Sequence, residues 1–218
     1  MNDFKIFILY PLTLSAIAYW FTSFIFFLLD IYLAPKFKIK GAEKINWEFY
    51  KLTAIYVLKM QALTTPIVLY LMIPLWKLRN INIYLSYDLV SILKLLLCPL
   101  LGDIIFFLTH RLCHCNFLYK KVHKLHHQWK YPVAVCASYT TYYEFILCNL
   151  PTFLLPPLIL GLNWYLANIW FIFSSIMVVI DHSGYNFFNR SVHHTNHHVL
   201  TNYNYGSEYL DKLNNSLK

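Results

Sequence analysis

Apolar runs broken by short basic stretches dominate the chain. Residues Phe4 to Leu33 are apolar apart from Lys5 and Asp30, longer than the roughly 20 residues that span a hydrocarbon core. The run continues through aromatics to Pro35 with no small-residue cleavage site, so it reads as a retained first span and not a signal peptide. A second run, Leu52 to Trp76, carries Lys59 and Gln61 near its start, where a long side chain can snorkel, and is closed by Lys77 and Arg79. The third, Leu89 to Thr109, contains Lys94, Pro99 and Gly102 and is expected to be kinked or partly buried against its neighbours. Between Glu144 and Asp181 lie 36 residues without Asp, Glu, Lys or Arg, too long for one typical span and long enough for two short ones. Gly161, Leu162 and Asn163 supply a turn, and Pro151, Pro156 and Pro157 bend the first half. The pattern predicts an all-α integral membrane helical bundle of four to five spans.

Composition supports that class. Hydrophobic residues make up 58% and charged residues 13%, about half the charged share of soluble domains, which excludes disorder and argues against a soluble globule. Five cysteines, an odd number without a CxxC pair, indicate neither a disulfide framework nor a zinc ribbon and read as thiols in a reducing compartment. The net charge of +8 is spread between apolar runs and forms no single stripe, which argues against a nucleic-acid partner and for a membrane protein with basic cytosolic loops. The loop 36–51 is one such segment, with Lys36, Lys38, Lys40, Lys44 and Lys51 against Glu43 and Glu48.

All ten histidines fall between residues 110 and 198. Side chains at i and i+4 of a helix lie about 5–6 Å apart between Cβ atoms, so His110 with His114, His123 with His127, and His194 with His198 can each grip one metal ion. His126 and His197 add i, i+3 partners. Adjacent helical residues point about 100° apart, so His126 and His127, or His197 and His198, are expected to reach two ions side by side. The pattern predicts a dinuclear site built from HxxxH, HxxHH and HxxHH, with His182 as a further ligand or neighbour. Imidazole alone does not choose between zinc, copper, iron and nickel. Asp103 precedes His110 by two helical turns and is a candidate to orient an imidazole, with a helix-end or salt-bridge role as its alternative. For the clusters to meet, residues 127 and 182 must lie on one side, which the proposed hairpin achieves. Arg111, Lys120, Lys121, Lys124 and Lys130 surround the first two clusters, so the positive-inside rule turns the site toward the cytosol and the N-terminus outward. Only Lys5, Lys77 and Arg79 then fall on the far side.

Of the other candidates, Tyr131, Tyr139, Tyr142 and Tyr143 suit a substrate slot but more often such residues pack or anchor at the interface. Cys113 and Cys115 point away from the His110/His114 face and read as ordinary buried thiols. Arg111 suits a headgroup or reductase contact as well as snorkelling.

The ordered set GDIIFFLTHRLCH (102–114), LYKKVHKLHH (118–127), DHSGYNF (181–187), HHTNHH (193–198) and NYG (204–206) resembles the sterol desaturase and fatty acid hydroxylase superfamily of membrane di-iron oxygenases. The resemblance covers roughly residues 99 to 211. Its HKxHH and HSGY elements look most like C-4 methylsterol monooxygenases, and the NYNYG segment is also similar to C-5 sterol desaturases. It implies metal ligands at His110, His114, His123, His126, His127, His182, His194, His197 and His198, with His193 outside the matching HxxHH. It further implies two ferrous ions with O2 as co-substrate, a sterol or other lipid substrate, and cytochrome b5 or its reductase as electron donor. The implied location is the endoplasmic reticulum membrane, with a cytosolic His-rich helical cap. No fused b5-like His-Pro-Gly-Gly segment occurs, and after Asp211 the chain reads KLNNSLK where the family commonly has Asp-x-x-Phe-Gly-Thr. On this reading residues 1–88 form an N-terminal transmembrane region and 89–218 a catalytic region, acting as one unit. The alternatives are a C-5 sterol desaturase, a fatty acid or sphingolipid hydroxylase and, from another class, a metal-ion transporter. Transporter ligands belong near the bilayer midplane, whereas these clusters lie at span ends.

Overall fold

A computed structural model describes residues 3–84 and 88–218 of the chain. The proposed division at residue 88 adjoins residues 85–87, which lie outside the described set. Among the described residues, five helices are long and apolar enough to cross a membrane: α1 (Lys5–Tyr32), α2 (Trp47–Leu78), α3 (Leu89–Cys113), α4 (Tyr142–Leu160) and α5 (Trp164–Asp181). Two shorter helices follow, α6 (Asn189–Leu200) and α7 (Glu208–Leu213). The architecture is all-helical, with a His-rich cluster at one end of the bundle.

The helix starts follow from their capping residues. Asn46 accepts a side-chain hydrogen bond from the Phe49 amide at 3.0 Å, Asp88 from Ser91 at 2.8 Å and Asn163 from Tyr165 at 2.9 Å, each satisfying a backbone donor that the first turn leaves open. The hairpin turn falls where the sequence places it, with Gly161 in the left-handed region at φ 58° ending α4. Within α4 the winding loosens to a π turn at Phe145–Asn149, just ahead of Pro151, whose ring nitrogen has no hydrogen to donate to the preceding turn. Span α3 remains one continuous helix through Pro99 and has the least buried apolar stretch of the five. It is therefore less enclosed by its neighbours than expected, although Cys98, Gly102 and Phe107 do pack inward.

Contacts between loops establish which segments share an end. At one end, Arg79 donates to the carbonyls of Leu158 and Ile159, Lys94 to that of Gly161, and the Trp164 amide to Asn82. Lys94 thus joins Lys77 and Arg79 at that end instead of sitting mid-span. Phe7, Trp76 and Trp164 close it as an aromatic plug with ring centroids 4.7–5.7 Å apart. At the other end the loop after α1 lies on the loop after α5, where the Ile39 amide donates to Gly184 and the Asn186 amide to Phe37, both at 2.9 Å. All ten histidines belong to this second end. A second core of Tyr19, Phe26, Tyr50, Trp129, Val179 and Tyr185 lies beneath them.

Candidate metal centre

Four pieces of backbone carry the imidazoles. His110 sits in the last turn of α3 and His114 caps it, His194, His197 and His198 lie along α6, and His182 caps α5. The remaining three depart from the regular helix that their spacing suggests. His123 ends a π turn at Tyr119–His123, and His126 and His127 open a 3-10 turn at His126–Gln128. The looser and then tighter winding still leaves His123 and His127 facing one another, with Nε2 atoms 3.0 Å apart.

The structure brings the nine imidazoles together in two groups, each able to hold an ion: His110, His114, His123, His127 and His197 in one, His126, His182, His194 and His198 in the other. In the first, Nε2 separations are 3.0 Å for His110–His123 and 3.1 Å for His127–His197. In the second they are 3.2 Å for His126–His182, 2.8 Å for His182–His194 and 3.2 Å for His194–His198. Outward-facing nitrogens explain why inner ones converge. His110 Nδ1 donates to the Tyr205 carbonyl at 2.6 Å, His126 to Tyr139 at 3.3 Å, His182 to Val178 at 2.8 Å and His197 to Tyr203 at 2.7 Å. A carbonyl only accepts, so Nδ1 holds the proton and Nε2 presents a bare lone pair.

Lone pairs aimed at each other about 3 Å apart repel unless a cation lies between them. Metal–imidazole bonds of about 2.0–2.1 Å at right angles separate neighbouring nitrogens by about 3 Å, close to the spacing seen. His114 makes the same point by default. It is mostly buried among His110, His123, His127 and His197, with both ring nitrogens lacking any hydrogen-bond partner. The residues therefore fit a pair of metal ions. Burial and mutual charge hold the cluster neutral, the protonation state that ligates: His123, His126, His194, His197 and His198 are pushed well below the ordinary imidazole range, chiefly by desolvation. Burial also pushes His182 down to about 4 and His127 to about 3, and lowers His114.

Carboxylates are arranged differently from the sequence-based expectation. Asp103 contacts no imidazole and instead accepts from the Ser207 amide at 3.1 Å. Glu144, buried at the start of α4, places Oε1 2.8 Å from His123 Nδ1. Its signal in the sequence was its isolation as a lone acid at a span end. His193 stands outside both groups, its Nε2 3.1 Å from Asp211 Oδ2. Asp211 in turn accepts from the amides of Tyr205 and Gly206 and from the Ser216 hydroxyl, fixing the loop whose Tyr205 carbonyl orients His110. That polar set holds the Asp211 carboxyl below the usual carboxylate range despite the opposing effect of burial, its largest single influence.

An apolar cavity of about 490 Å3 adjoins the centre. His126, His182 and His194 border it, all from the four-imidazole group, and it runs between the spans to Pro11, Leu69 and Leu154. Tyr131, Tyr139, Tyr142 and Tyr143 do not line it. Tyr139 packs edge-on against Phe49 and Tyr56 and donates to Gln128 at 3.1 Å. Cys113 is buried, while Cys115 is exposed, contrary to expectation. Arg111 lies over the Phe107 and Tyr205 rings and donates to Asn214 at 3.3 Å.

A family model described as fatty acid hydroxylase matches residues 95–216. Human fatty acid hydroxylase domain-containing protein 2 is 32% identical over 117 residues, 53% of this chain and 35% of that protein, so the match spans about a third of that relative's length. A Dictyostelium discoideum protein provisionally named methylsterol monooxygenase is 28% identical over 213 residues, covering 89% of this chain and 78% of its own. A Δ7-sterol 5(6)-desaturase of Schizosaccharomyces pombe is 33% identical over 164 residues, 66% of this chain and 52% of that protein. No solved structure gives a significant match.

Proposed function

The chain belongs to the fatty acid hydroxylase family, and on that footing we propose that it is a membrane-bound di-iron monooxygenase oxidising a C–H bond of a lipid, with a C-4 methylsterol as substrate. The observation that carries this reading is the contact between a convergent set of imidazoles and an apolar cavity inside a bundle of membrane-length helices. Two iron ions would supply the O2-activating redox chemistry that side chains lack. His110, His114, His123, His127 and His197 would hold one, and His126, His182, His194 and His198 the other.

The protein's own residues do the rest. Backbone carbonyls of Tyr139, Tyr203, Tyr205 and Val178 keep the Nδ1 protons outward and the ligating nitrogens inward, the orienting role that surroundings of metal ligands commonly play. The cavity walls, including Phe106, Leu150 and Phe171, exclude water and hold a hydrocarbon body against the face formed by His126, His182 and His194. A lipid entering from the bilayer can present one carbon there without leaving the membrane. Exposed Lys120, Lys121 and Lys124 flank the centre and suit an acidic electron donor such as cytochrome b5 or its reductase. Their concentration at this end orients the centre toward the cytosol under the positive-inside rule, as expected of an endoplasmic reticulum enzyme.

Similarity to the Δ7-sterol 5(6)-desaturase favours a second reading, C-5 desaturation of a sterol. Sterol profiling of cells lacking the protein separates the two. Accumulated 4-methylsterols support the first and an accumulated Δ7-sterol the second. Purified, metal-depleted protein that regains lipid oxidation with zinc but not with ferrous iron and a reductant refutes both.

A further inference from the structure

Beneath His182 lies an ion pair that the centre itself does not use. Lys38 Nζ is 2.8 Å from Asp30 Oδ1, and both side chains are fully buried. The Tyr185 hydroxyl donates to the same Asp30 oxygen at 3.0 Å, and the Lys38 ammonium sits 4.8 Å from the Tyr185 ring centroid. Lys38 also donates to the Ser183 carbonyl at 2.8 Å, the residue immediately after His182. The backbone reinforces this join. Lys38 and Tyr185 form an isolated antiparallel bridge, and amide bonds from Ile39 to Gly184 and from Asn186 to Phe37 flank it.

Gly184 has φ +72°, and a Cβ there would meet the Pro132 carbonyl at 2.9 Å and Lys38 Nζ at 3.5 Å. Residues 182–186 thus pack closely against both Pro132, which follows the segment carrying His126 and His127, and a strap from outside the family-matched region. A buried ion pair is a weak stabiliser, because desolvating two charges offsets most of their attraction. Its geometric consequence is more informative. The ammonium is the one group here that joins α1 to the Ser183 carbonyl.

We infer that Asp30 and Lys38 are positioning residues, which fix the His182 loop and thereby set metal occupancy of the four-imidazole group. This rests on the metal centre proposed above. His182 enters that group through Nε2, 2.8 Å from His194 and 3.2 Å from His126. A loop released at Ser183 moves that nitrogen away while leaving the five imidazoles of the other group, on α3, α6 and the 119–127 segment, in place.

The test uses the full chain in lipid nanodiscs, loaded with ferrous iron, reading iron per chain, thermal midpoint and amide hydrogen exchange. Lys38→Met strands the Asp30 charge in the core, so it lowers the midpoint. It also takes iron from about two to about one per chain, and exchange at Ile39 and Asn186 rises at least about tenfold. The double variant Asp30→Asn/Lys38→Met removes both charges and regains most of the lost thermal stability. It cannot restore the bond to Ser183, so its iron stays near one. Recovery of both irons in the double variant overturns the inference, since the pair then acts only through stability. Full iron in Lys38→Met overturns it directly, as does a double variant no more stable than the single. Wild-type protein that binds no iron refutes the centre itself, an outcome visible before any variant is made.

Discussion

His126 and His127 are neighbours in the chain and belong to different imidazole groups: His126 Nε2 lies 3.2 Å from His182, while His127 Nε2 lies 3.0 Å from His123 and 3.1 Å from His197. His197 and His198 divide in the same way. Two consecutive side chains thus enter two groups, and under the proposed function the HxxHH spacing serves a metal pair. His126→Ala and His127→Ala are each expected to lower bound iron from about two to about one per chain, and the double variant to lower it further. Elemental analysis of the purified variants checks this. Loss of all metal from either single variant would show that the groups do not fill independently.

Glu144 reaches the five-imidazole group at a single point, its Oε1 2.8 Å from His123 Nδ1. A carboxyl group beside the outer nitrogen of a ligating imidazole typically contributes 10–100-fold in metal affinity, and the proposed centre is expected to depend on Glu144 in this way. Glu144→Gln keeps an acceptor and loses the charge, whereas Glu144→Leu loses both. Chelator competition should therefore rank affinity as wild type, then Gln, then Leu, with Leu about 10–100-fold weaker than wild type. Equal affinities across the three would remove Glu144 from the site.

Much of this arrangement was legible from residue spacing. Charge-free runs and the Gly161–Asn163 turn marked the spans, because burial in lipid leaves a one-dimensional trace. The i, i+4 histidine pairs each fall within one group, because such spacing reflects local geometry, whereas His126 and His197 lie in the group opposite to their i, i+3 partners His123 and His194. What resisted reading depends on contacts between distant segments. Asp103 shares a helical face with His110, yet α7 and its preceding turn bring Ser207 to it first. Lys38 looked like one of five loop lysines, and only the fold shows it buried against Asp30 and Ser183. The π and 3-10 turns around His123 and His126 likewise arise from tertiary packing, since Tyr139 and Thr141 claim the carbonyl and imidazole partners there.

Gly102 offers a way to separate lipid binding from metal binding. It lines the cavity, and a Cβ added there would approach the Trp170 ring at 3.0 Å. The tight contact is with a side chain, so Gly102→Val displaces Trp170 and narrows the cavity without meeting the imidazoles. Glycine inside a helix costs up to about 1 kcal/mol relative to alanine, so removing it offsets part of the strain. The expected result is lipid oxidation reduced at least about tenfold with iron per chain unchanged. Turnover in nanodiscs alongside elemental analysis measures both, and unimpaired turnover would move the substrate out of this cavity.

Acid should act on the metal-free protein through the same histidines. Eight of them outside the spans, His114, His123, His126, His127, His182, His194, His197 and His198, are held below the ordinary imidazole range by burial. The unfolded chain takes up protons near pH 6.5 while the folded one resists, so stability is fully present above about 6.5 and falls as pH drops toward the folded values. Each histidine that stays neutral contributes up to about 1.4 kcal/mol of loss per pH unit in that window. Bound metal competes with protons for the same lone pairs and shifts the decline to lower pH. Unfolding followed from about pH 8 to 5, with and without iron, tests this. A metal-free protein whose stability stays flat across that range would mean that the imidazoles are already solvated and the cluster is not closed.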